Sequence, residues 1–341
     1  MNISTDLTNA GVQVFAISPR REGAAWTDIQ RVVNFSDRFG LSGVLAFAGH
    51  DTTVEPFVVA STILQGSGSL IPLVAVNPIY MHPFTVAKLV SSFAHIHKRP
   101  IYLNLVSGAS TRFLQSFNDT LTHDERYLRL TEYGKILELL LAGDGLTNFS
   151  GKYYAVSALQ LSPRIPAELK PRLMVAGESE SARRTAAELG AVGMRMLTAE
   201  LDRAIDPDAS GVHFGLIARS NKVSAFKAAS EQFPAAPDES ALAAAMTYTD
   251  SHWKMRLKNF SDERPADVEG FWMGPFKSGR ADCPYLVGAV DWAAAIVARL
   301  IDKGVRWFIL DIQPNEEDFA HCAEVFRLAA QNAGRTRAVS K

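Results

Sequence analysis

Residues 71–106 read IPLVAVNPIYMHPFTVAKLVSSFAHIHKRPIYLNLV and contain two short apolar runs separated by a longer segment. The runs IPLVAV and IYLNLV have the length and composition of buried strands. The segment between them carries His82, His95 and His97, which flank or belong to a predicted helix. A strand, a helix and a second strand in this order predict a βα repeat on a parallel sheet.

The same alternation of strand-like runs and helical patterns continues outward in both directions. Residues 130–141 and 319–329, for example, carry apolar side chains every three or four positions, as a half-buried helix does. Eight strands favour a closed barrel over an open sheet. We therefore predict an α/β protein, a (β/α)8 TIM barrel with insertions. The predicted strands are VQVFAIS from Val12, GVLAF from Gly43, IPLVAV from Ile71, IYLNLV from Ile101, RLMVA from Arg172, VGMRML from Val192, VHFGLIA from Val212 and WFILDI from Trp307.

The length of 341 residues fits a single barrel domain over residues 1–341. Two stretches interrupt the repeat. The first, at about 145–165, includes NFSGKYYAVSALQL from Asn148 and predicts a hairpin inserted before the fifth strand. The second, at about 233–285, is long, charged and tryptophan-containing, which predicts a functional loop or lid before the last strand.

The composition is that of a globular protein with a large core, because 47% of the residues are hydrophobic and the formal net charge is -1. A near-neutral charge disfavours nucleic acid and anionic membranes as partners. Cys283 and Cys322 form neither a disulfide framework nor a zinc motif. The polar start MNISTDLTNAG lacks the features of a signal peptide. We therefore expect a cytoplasmic protein without a structural metal.

In barrels of this kind the active site lies at the carboxyl ends of the strands. Polar residues and glycines follow the predicted strands two to five at these ends. They are His50 and Asp51, then Asn77, then Asn104, Ser107 and Gly108, then Gly177, Glu178 and Ser179.

Two local patterns have both a functional and a purely structural interpretation. In HDERY, the spacing of four places His123 and Tyr127 on one helix face, where they could contact one ligand or simply cap and pack the helix. In VAGESESA, a strand-to-helix turn offers backbone N–H groups that suit a phosphate, or carries an ordinary N-cap at Ser179. Dinucleotide, P-loop and zinc-protease readings have no support, because GxGxxG after a strand, GxxxxGK[ST] and HExxH do not occur.

Four short motifs occur in the order and spacing of a known family: NLVSGA from Asn104, HDERY from His123, NFSGKYYAV from Asn148 and VAGESESA from Val175. Together they resemble the bacterial luciferase-like flavin-dependent monooxygenases, most closely the alkanesulfonate monooxygenase branch. The resemblance extends from residue 11 to about residue 329.

The resemblance implies a two-component system in which a separate NAD(P)H:flavin reductase delivers reduced FMN (FMNH2). The enzyme would use it with O2 to oxygenate a small organic substrate, as a homodimer or homotetramer. By the same resemblance, Asn77, Asn104 and Ser107 would approach the flavin ring. The residues around the phosphate and ribityl tail would be His123, Tyr127, Gly177, Glu178 and Ser179.

The positions that handle the sulfonate in that branch differ here. Thr53 stands where the branch has a cysteine, and Ile217 and Arg219 stand where it has an arginine and a histidine on strand seven. Its lid arginine falls close to Gly279 or Arg280, and its tyrosine after strand eight is replaced by Gln313. Thr53, Arg219 and Arg280 are therefore the candidate catalytic residues, and we expect a substrate other than a simple alkanesulfonate.

Two other functions fit the same fold. One is a deazaflavin-dependent oxidoreductase, whose cofactor does not activate oxygen. The other is a non-catalytic flavin-binding protein. The long predicted lid argues against a pure binding protein, because closure over a substrate is typical of enzymes.

Overall fold

The computed structural model describes residues 1–19, 26–49, 52–199, 210–234, 248–263 and 267–333. The candidates His50 and Asp51 lie outside these ranges, as do residues 235–247 and 264–266 of the predicted lid. The strands are Gln13–Ile17 (β1), Gly43–Ala46 (β2), Ile71–Val76 (β3), Tyr102–Leu105 (β4), Thr147–Ser150 (β5), Ala155–Leu159 (β6), Leu173–Ala176 (β7), Val192–Met196 (β8), Gly211–Arg219 (β9), Asp267–Val268 (β10), Phe271–Trp272 (β11), Tyr285–Ala289 (β12) and Trp307–Asp311 (β13).

Helices follow most of the barrel strands and cover them on the outside. The α-helices are Ser4–Ala10 (α1), Trp26–Phe39 (α2), Pro56–Gly66 (α3), Pro83–His97 (α4), Thr111–Ser116 (α5), His123–Ala142 (α6), Glu180–Glu188 (α7), Lys222–Gln232 (α8), His252–Glu263 (α9), Gly274–Lys277 (α10), Val290–Asp302 (α11) and Glu316–Asn332 (α12).

Eight parallel strands form a closed barrel in the order β1, β2, β3, β4, β7, β8, β9 and β13. The ring closes where β8 pairs with β9, from Met194↔Gly211, and where β13 pairs with β1, from Trp307↔Gln13. Each barrel strand coincides with one of the eight strands predicted from the sequence. The predicted (β/α)8 barrel is therefore confirmed.

Three strands, β10, β11 and β12, were not predicted. β12 pairs in parallel with the C-terminal half of β9, from Tyr285↔Gly215 to Ala289↔Arg219. β11 pairs antiparallel with β12 and with β10, so these strands extend the sheet beyond the barrel. The prediction missed β12 because the apolar run YLVGA continues directly into α11. No turn residue separates strand from helix there, so the run resembles a helix start.

Side-chain alternation along the strands separates two apolar layers. Inside the barrel, the rings of Phe15 and Trp307 stack with centroids 5.7 Å apart, and Tyr102 packs against both. On the outside, residues such as Val14 and Phe214 are fully buried against the helices. Because the barrel interior is filled, a ligand has room only at its ends.

The helix α6 fixes the position of two candidate site residues. It begins with a capping box, in which Thr122 caps the N–H of Glu125 and Glu125 accepts from the N–H of Thr122. Further along the helix, Leu130, Tyr133 and Leu137 are completely buried. The first turns of α6 are thereby held against the barrel end.

The hairpin predicted after Asn148 is present, with β5 and β6 paired antiparallel. Glu132 of α6 accepts hydrogen bonds from the backbone N–H groups of Lys152 and Tyr153 at the tip of this hairpin.

No helix in the described ranges is long and apolar enough to cross a membrane. Over the same residues, no group of His, Cys, Asp and Glu side chains could hold a metal ion.

Candidate active site

Tyr127, on α6, connects the segments that follow β4 and β7 at the carboxyl end of the barrel. Its hydroxyl donates to the carbonyl oxygen of Ala176 at the end of β7, at 2.9 Å, and also contacts the side chain of Ser107 after β4. Its ring centroid lies 5.1 Å from that of His123 on the same helix face. Burial raises the pKa of Tyr127, so the hydroxyl stays a hydrogen-bond donor. The structure therefore brings these predicted site residues together.

The turn from Gly177 to Ser179 lies directly against Tyr127. Gly177 has a φ of 145°, and a Cβ atom there would lie 2.2 Å from the Tyr127 hydroxyl. Ser179 Oγ caps α7 by accepting from the N–H of Ala182 at 3.1 Å. The N-cap interpretation of Ser179 is thus confirmed. The cap uses only one of the N–H groups that a helix leaves unpaired at its start, so the turn still suits an anion.

Asn77 and Asn104 provide buried amide groups at the ends of β3 and β4. Asn77 Oδ1 accepts from the N–H of Ile79 at 3.1 Å. The Oδ1 atom of Asn104 is buried and has no hydrogen-bond partner among the described residues. A buried polar atom without a partner costs about 1–3 kcal/mol, so this oxygen indicates a ligand that donates a hydrogen bond.

A cavity of about 270 Å³ lies beside Asn77 and between the loops that follow β2 and β3. Its walls are mainly apolar, with Phe57 and Met81 among them. The carboxylate of Glu55 also borders it, but accepts hydrogen bonds from the N–H groups of Phe57 and Val58 at the start of α3. The cavity therefore suits an uncharged organic group.

Helix α9, from the predicted lid, packs over the turn at Gly177 to Ser179. Arg256 donates from Nε and Nη2 to the two carboxylate oxygens of Glu178, each at 2.7 Å. The ring of His252 stacks on that of His123 with centroids 4.8 Å apart. In the sequence, Arg256 belongs to a cationic and aromatic stretch of the predicted lid, from His252 to Lys258, that suits closure over an anionic flavin or substrate. Its pairing with Glu178 was not predicted, because the two residues lie far apart in the chain.

Three candidates lie apart from this cluster. Thr53 is exposed, and its neighbour Thr52 lines the cavity instead. Arg219 is buried at the end of β9, where Nη1 pairs with Asp318 of α12 at 2.7 Å. Arg280 is half-buried just beyond α10 and does not border the cavity described above.

Ile217, which replaces an arginine of the alkanesulfonate branch, lies on β9 and is buried in the outer apolar layer. On the same strand, Val212 and Phe214 face the helices, so the alternating residue His213 faces the barrel interior. Its Nδ1 lies 2.9 Å from the carbonyl oxygen of Ile309, which can only accept, so Nδ1 carries the proton. The period of two in VHFGLIA could have identified His213 from the sequence alone.

Residues 10–206 match the sequence profile of the family described as luciferase-like monooxygenase. The chain is 30% identical over 304 residues to the 4-(gamma-L-glutamylamino)butanoyl-[BtrI acyl-carrier protein] monooxygenase BtrO of Niallia circulans, covering 86% of this chain and 89% of that protein.

Solved structures share the fold at low sequence identity. The EDTA monooxygenase EmoA from Chelativorans sp. BNC1 superimposes with a TM-score of 0.71 at 13% identity, over 94% of both chains. An F420-dependent secondary alcohol dehydrogenase in complex with an F420-acetone adduct gives a TM-score of 0.65 at 12% identity, over 93% of this chain and 97% of that one.

Proposed function

The chain belongs to the luciferase-like monooxygenase family, and on this premise we propose that it is an FMN-dependent monooxygenase of a two-component system. A separate NAD(P)H:flavin reductase supplies the reduced FMN, and the organic substrate and O2 meet it at the carboxyl end of the barrel. The observation that carries the proposal is the convergence of Tyr127, the turn at Gly177 and the unpaired amide oxygen of Asn104 at that end.

The residues at this end fit reduced FMN. The orphaned Oδ1 of Asn104 can accept from an N–H group of a reduced flavin ring. The turn from Gly177 to Ser179, at the start of α7, offers backbone N–H groups to the phosphate. Ser107 and His123 both contact Tyr127, which adjoins this turn.

Bound reduced FMN supplies two electrons, so that one oxygen atom of O2 enters the substrate and the other leaves as water. The chain's residues bind and orient the reactants. Asn77 and Asn104 offer their side-chain amides to polar groups of the flavin ring at the barrel end. The apolar cavity walls at Phe57 and Met81 keep water from the reacting groups.

FMN is favoured over a deazaflavin because the relatives that show the family are monooxygenases, and a deazaflavin does not activate oxygen. The deazaflavin enzyme among the structural neighbours shares only the fold. The contacts of α9 with the site favour an enzyme over a flavin-binding protein without turnover.

Replacing Tyr127 with phenylalanine should lower flavin affinity several-fold while the fold stays intact. The change removes the hydroxyl that fixes the end of β7, a hydrogen bond typically worth about 0.5–1.5 kcal/mol. Equilibrium binding of reduced FMN measures the effect. Tyr133→Phe is the matched control on the same helix, because the Tyr133 hydroxyl is buried without a partner among the described residues. Equal affinities in the two variants would reduce Tyr127 to a packing residue.

The cavity beside Asn77 supports a substrate whose reacting end is uncharged. A sulfonate needs several donors that converge on three oxygens, and each missing donor at a desolvated site costs about 1–3 kcal/mol. Ile217 has no donor, and the guanidinium of Arg219 is paired with Asp318. With octanesulfonate, reduced FMN and a partner reductase, we therefore expect little sulfite. Release at about 1 per second or faster, an ordinary enzyme rate, would contradict this expectation.

The proposed reaction is tested with ¹⁸O2, reduced FMN and a panel of uncharged substrates. The panel contains alkyl aldehydes, ketones and acyl thioesters, the last because the Niallia circulans relative is named for an acyl-carrier-protein substrate. The proposal predicts one ¹⁸O atom in at least one organic product. Label in water and hydrogen peroxide alone, with every substrate recovered unchanged, would contradict it.

A further inference from the structure

The segment from Tyr248 to the end of α9 is attached to the barrel end by several contacts. The carbonyl oxygen of Tyr248 accepts from the N–H of Thr111 at 2.8 Å. Asp250 accepts from Nη2 of Arg126 at 2.7 and 2.6 Å, and the Arg126 side chain is only 2% exposed. α9 therefore starts from a fixed position beside the first turn of α6.

The turn that suits a phosphate is surrounded by negative charge. Glu178 lies within the turn, and Glu180 and Asp124 lie close to it. Asp124 Oδ1 accepts from Ser181 Oγ at 2.5 Å, and this bond, together with one from His123, lowers the pKa of Asp124. On α7 itself, Arg183 Nη1 donates to the carbonyl oxygen of Glu178 and Arg184 pairs with Glu180. The carboxylates of Glu178 and Asp124 would still repel a phosphate dianion, so a further cation beside them would strengthen a site here.

Helix α9 supplies this cation at the right place. Arg256 is held over the turn by its two bonds to Glu178, and Nη2 also approaches the carbonyl oxygen of Met196 at 3.4 Å. A guanidinium has five N–H donors in a plane, and the two on Nη1 take no part in these bonds. The Arg256 side chain is 37% exposed, so an anion can reach it.

Resting on the proposed function, we propose that Arg256 binds the phosphate of FMN, so that α9 completes the cofactor site. Glu178 is then a positioning residue, which holds the guanidinium over the turn before the cofactor arrives. The stacked rings of His123 and His252 keep α9 aligned with α6. The consequence is a preference for the phosphorylated flavin over riboflavin.

The test is anaerobic equilibrium dialysis of reduced FMN and reduced riboflavin against the wild-type chain and Arg256→Gln. A hydrogen bond to a charged group is typically worth about 1.5–3 kcal/mol, which corresponds to about a tenfold to hundredfold change in affinity. We expect FMN affinity to fall by that factor and riboflavin affinity to stay unchanged. Arg256→Lys, which keeps a charge but not the planar fork, should give an intermediate loss.

Two further variants separate phosphate binding from a structural contact. Lys258→Gln removes a positive charge from the same helix, where Lys258 pairs with Asp262 one turn away, and should bind both flavins as the wild type does. Glu178→Gln loosens the hold on Arg256 but leaves the guanidinium in place and removes a negative charge from the turn, so it should lose less FMN affinity than Arg256→Gln and bind riboflavin as the wild type does.

Equal losses of FMN and riboflavin in Arg256→Gln, or equal losses of FMN in Arg256→Gln and Glu178→Gln, would overturn the inference. Either result would mean that the pair only fastens α9 to the barrel. A wild-type chain that binds neither flavin would instead overturn the proposed function, so the two failures are distinguishable.

Discussion

Gly177→Ala is expected to lower the free energy of unfolding by about 2–6 kcal/mol and to abolish measurable flavin binding. A Cβ atom would lie 2.2 Å from the Tyr127 hydroxyl and 2.8 Å from the Cβ of Ala182, so the turn must shift. Overpacking typically costs about 1–3 kcal/mol, and the φ of 145° adds about 1–3 kcal/mol of backbone strain for any residue except glycine. Chemical denaturation and dialysis of reduced FMN measure the two effects.

Gly190→Ala is the matched control for this prediction. Gly190 also has a positive φ, of 54°, but a Cβ atom there would have no neighbour within 4 Å. Gly190→Ala should therefore lower the free energy of unfolding by only about 1–2 kcal/mol and leave the flavin affinity unchanged. The double variant Gly177→Ala with Tyr127→Phe should lose less stability than the sum of the single changes, because the hydroxyl in the clash is gone. Wild-type flavin binding by Gly177→Ala would contradict the assignment of this turn to the cofactor.

Arg219→Met is expected to destabilise the fold by about 3 kcal/mol or more, because it leaves the carboxylate of Asp318 buried without its cation. The Asp318 side chain has no exposed surface, and Arg219 Nη1 lies 2.7 Å from Oδ1. The other carboxylate oxygen accepts from Gln232 and Asn315 and keeps those bonds. Chemical denaturation measures the loss, and the folded variant should bind reduced FMN as the wild type does.

The control for the ion pair is Lys222→Met. Lys222 pairs with Asp267 at 3.4 Å on the surface, with the lysine side chain 58% exposed, so its loss should change stability by at most about 0.5 kcal/mol. If Arg219→Met kept wild-type stability but lost oxygenation of a substrate, Arg219 would belong to the active site, as the resemblance implies. We expect the reverse, namely that Arg219→Met loses stability and that the folded variant keeps its oxygenation activity.

The barrel could be predicted because the sequence patterns that specify its strands and helices are local and repeat along the chain. Each strand is a short apolar run, and each helix shows a clear apolar face, as at Leu130, Leu137, Phe319 and Phe326, all of which are buried. β12 could not be predicted in the same way. Its stability comes from pairing with β9 across the sheet, and the run YLVGA joins α11 without a turn residue.

The candidate site could be predicted where it follows strand ends and not where it depends on long-range contacts. Asn104 and Gly177 lie near the ends of the paired strands β4 and β7, and Tyr127 of α6 contacts the turn at Gly177. The pair between Glu178 and Arg256 joins residues 78 positions apart, which no periodic pattern records. On β9, the seventh strand of the barrel, the resemblance to the alkanesulfonate branch pointed to Arg219. The alternation of side chains along β9 instead places His213 inside the barrel.

The central claim, that this chain is an FMN-dependent monooxygenase, is tested most directly by its choice of cofactor. Anaerobic equilibrium dialysis is run in parallel with reduced FMN, oxidised FMN, a reduced deazaflavin and NADPH. The account predicts that reduced FMN binds, that oxidised FMN binds more weakly, and that the deazaflavin and NADPH are not retained. Tight binding of the deazaflavin or of NADPH without binding of reduced FMN would contradict it.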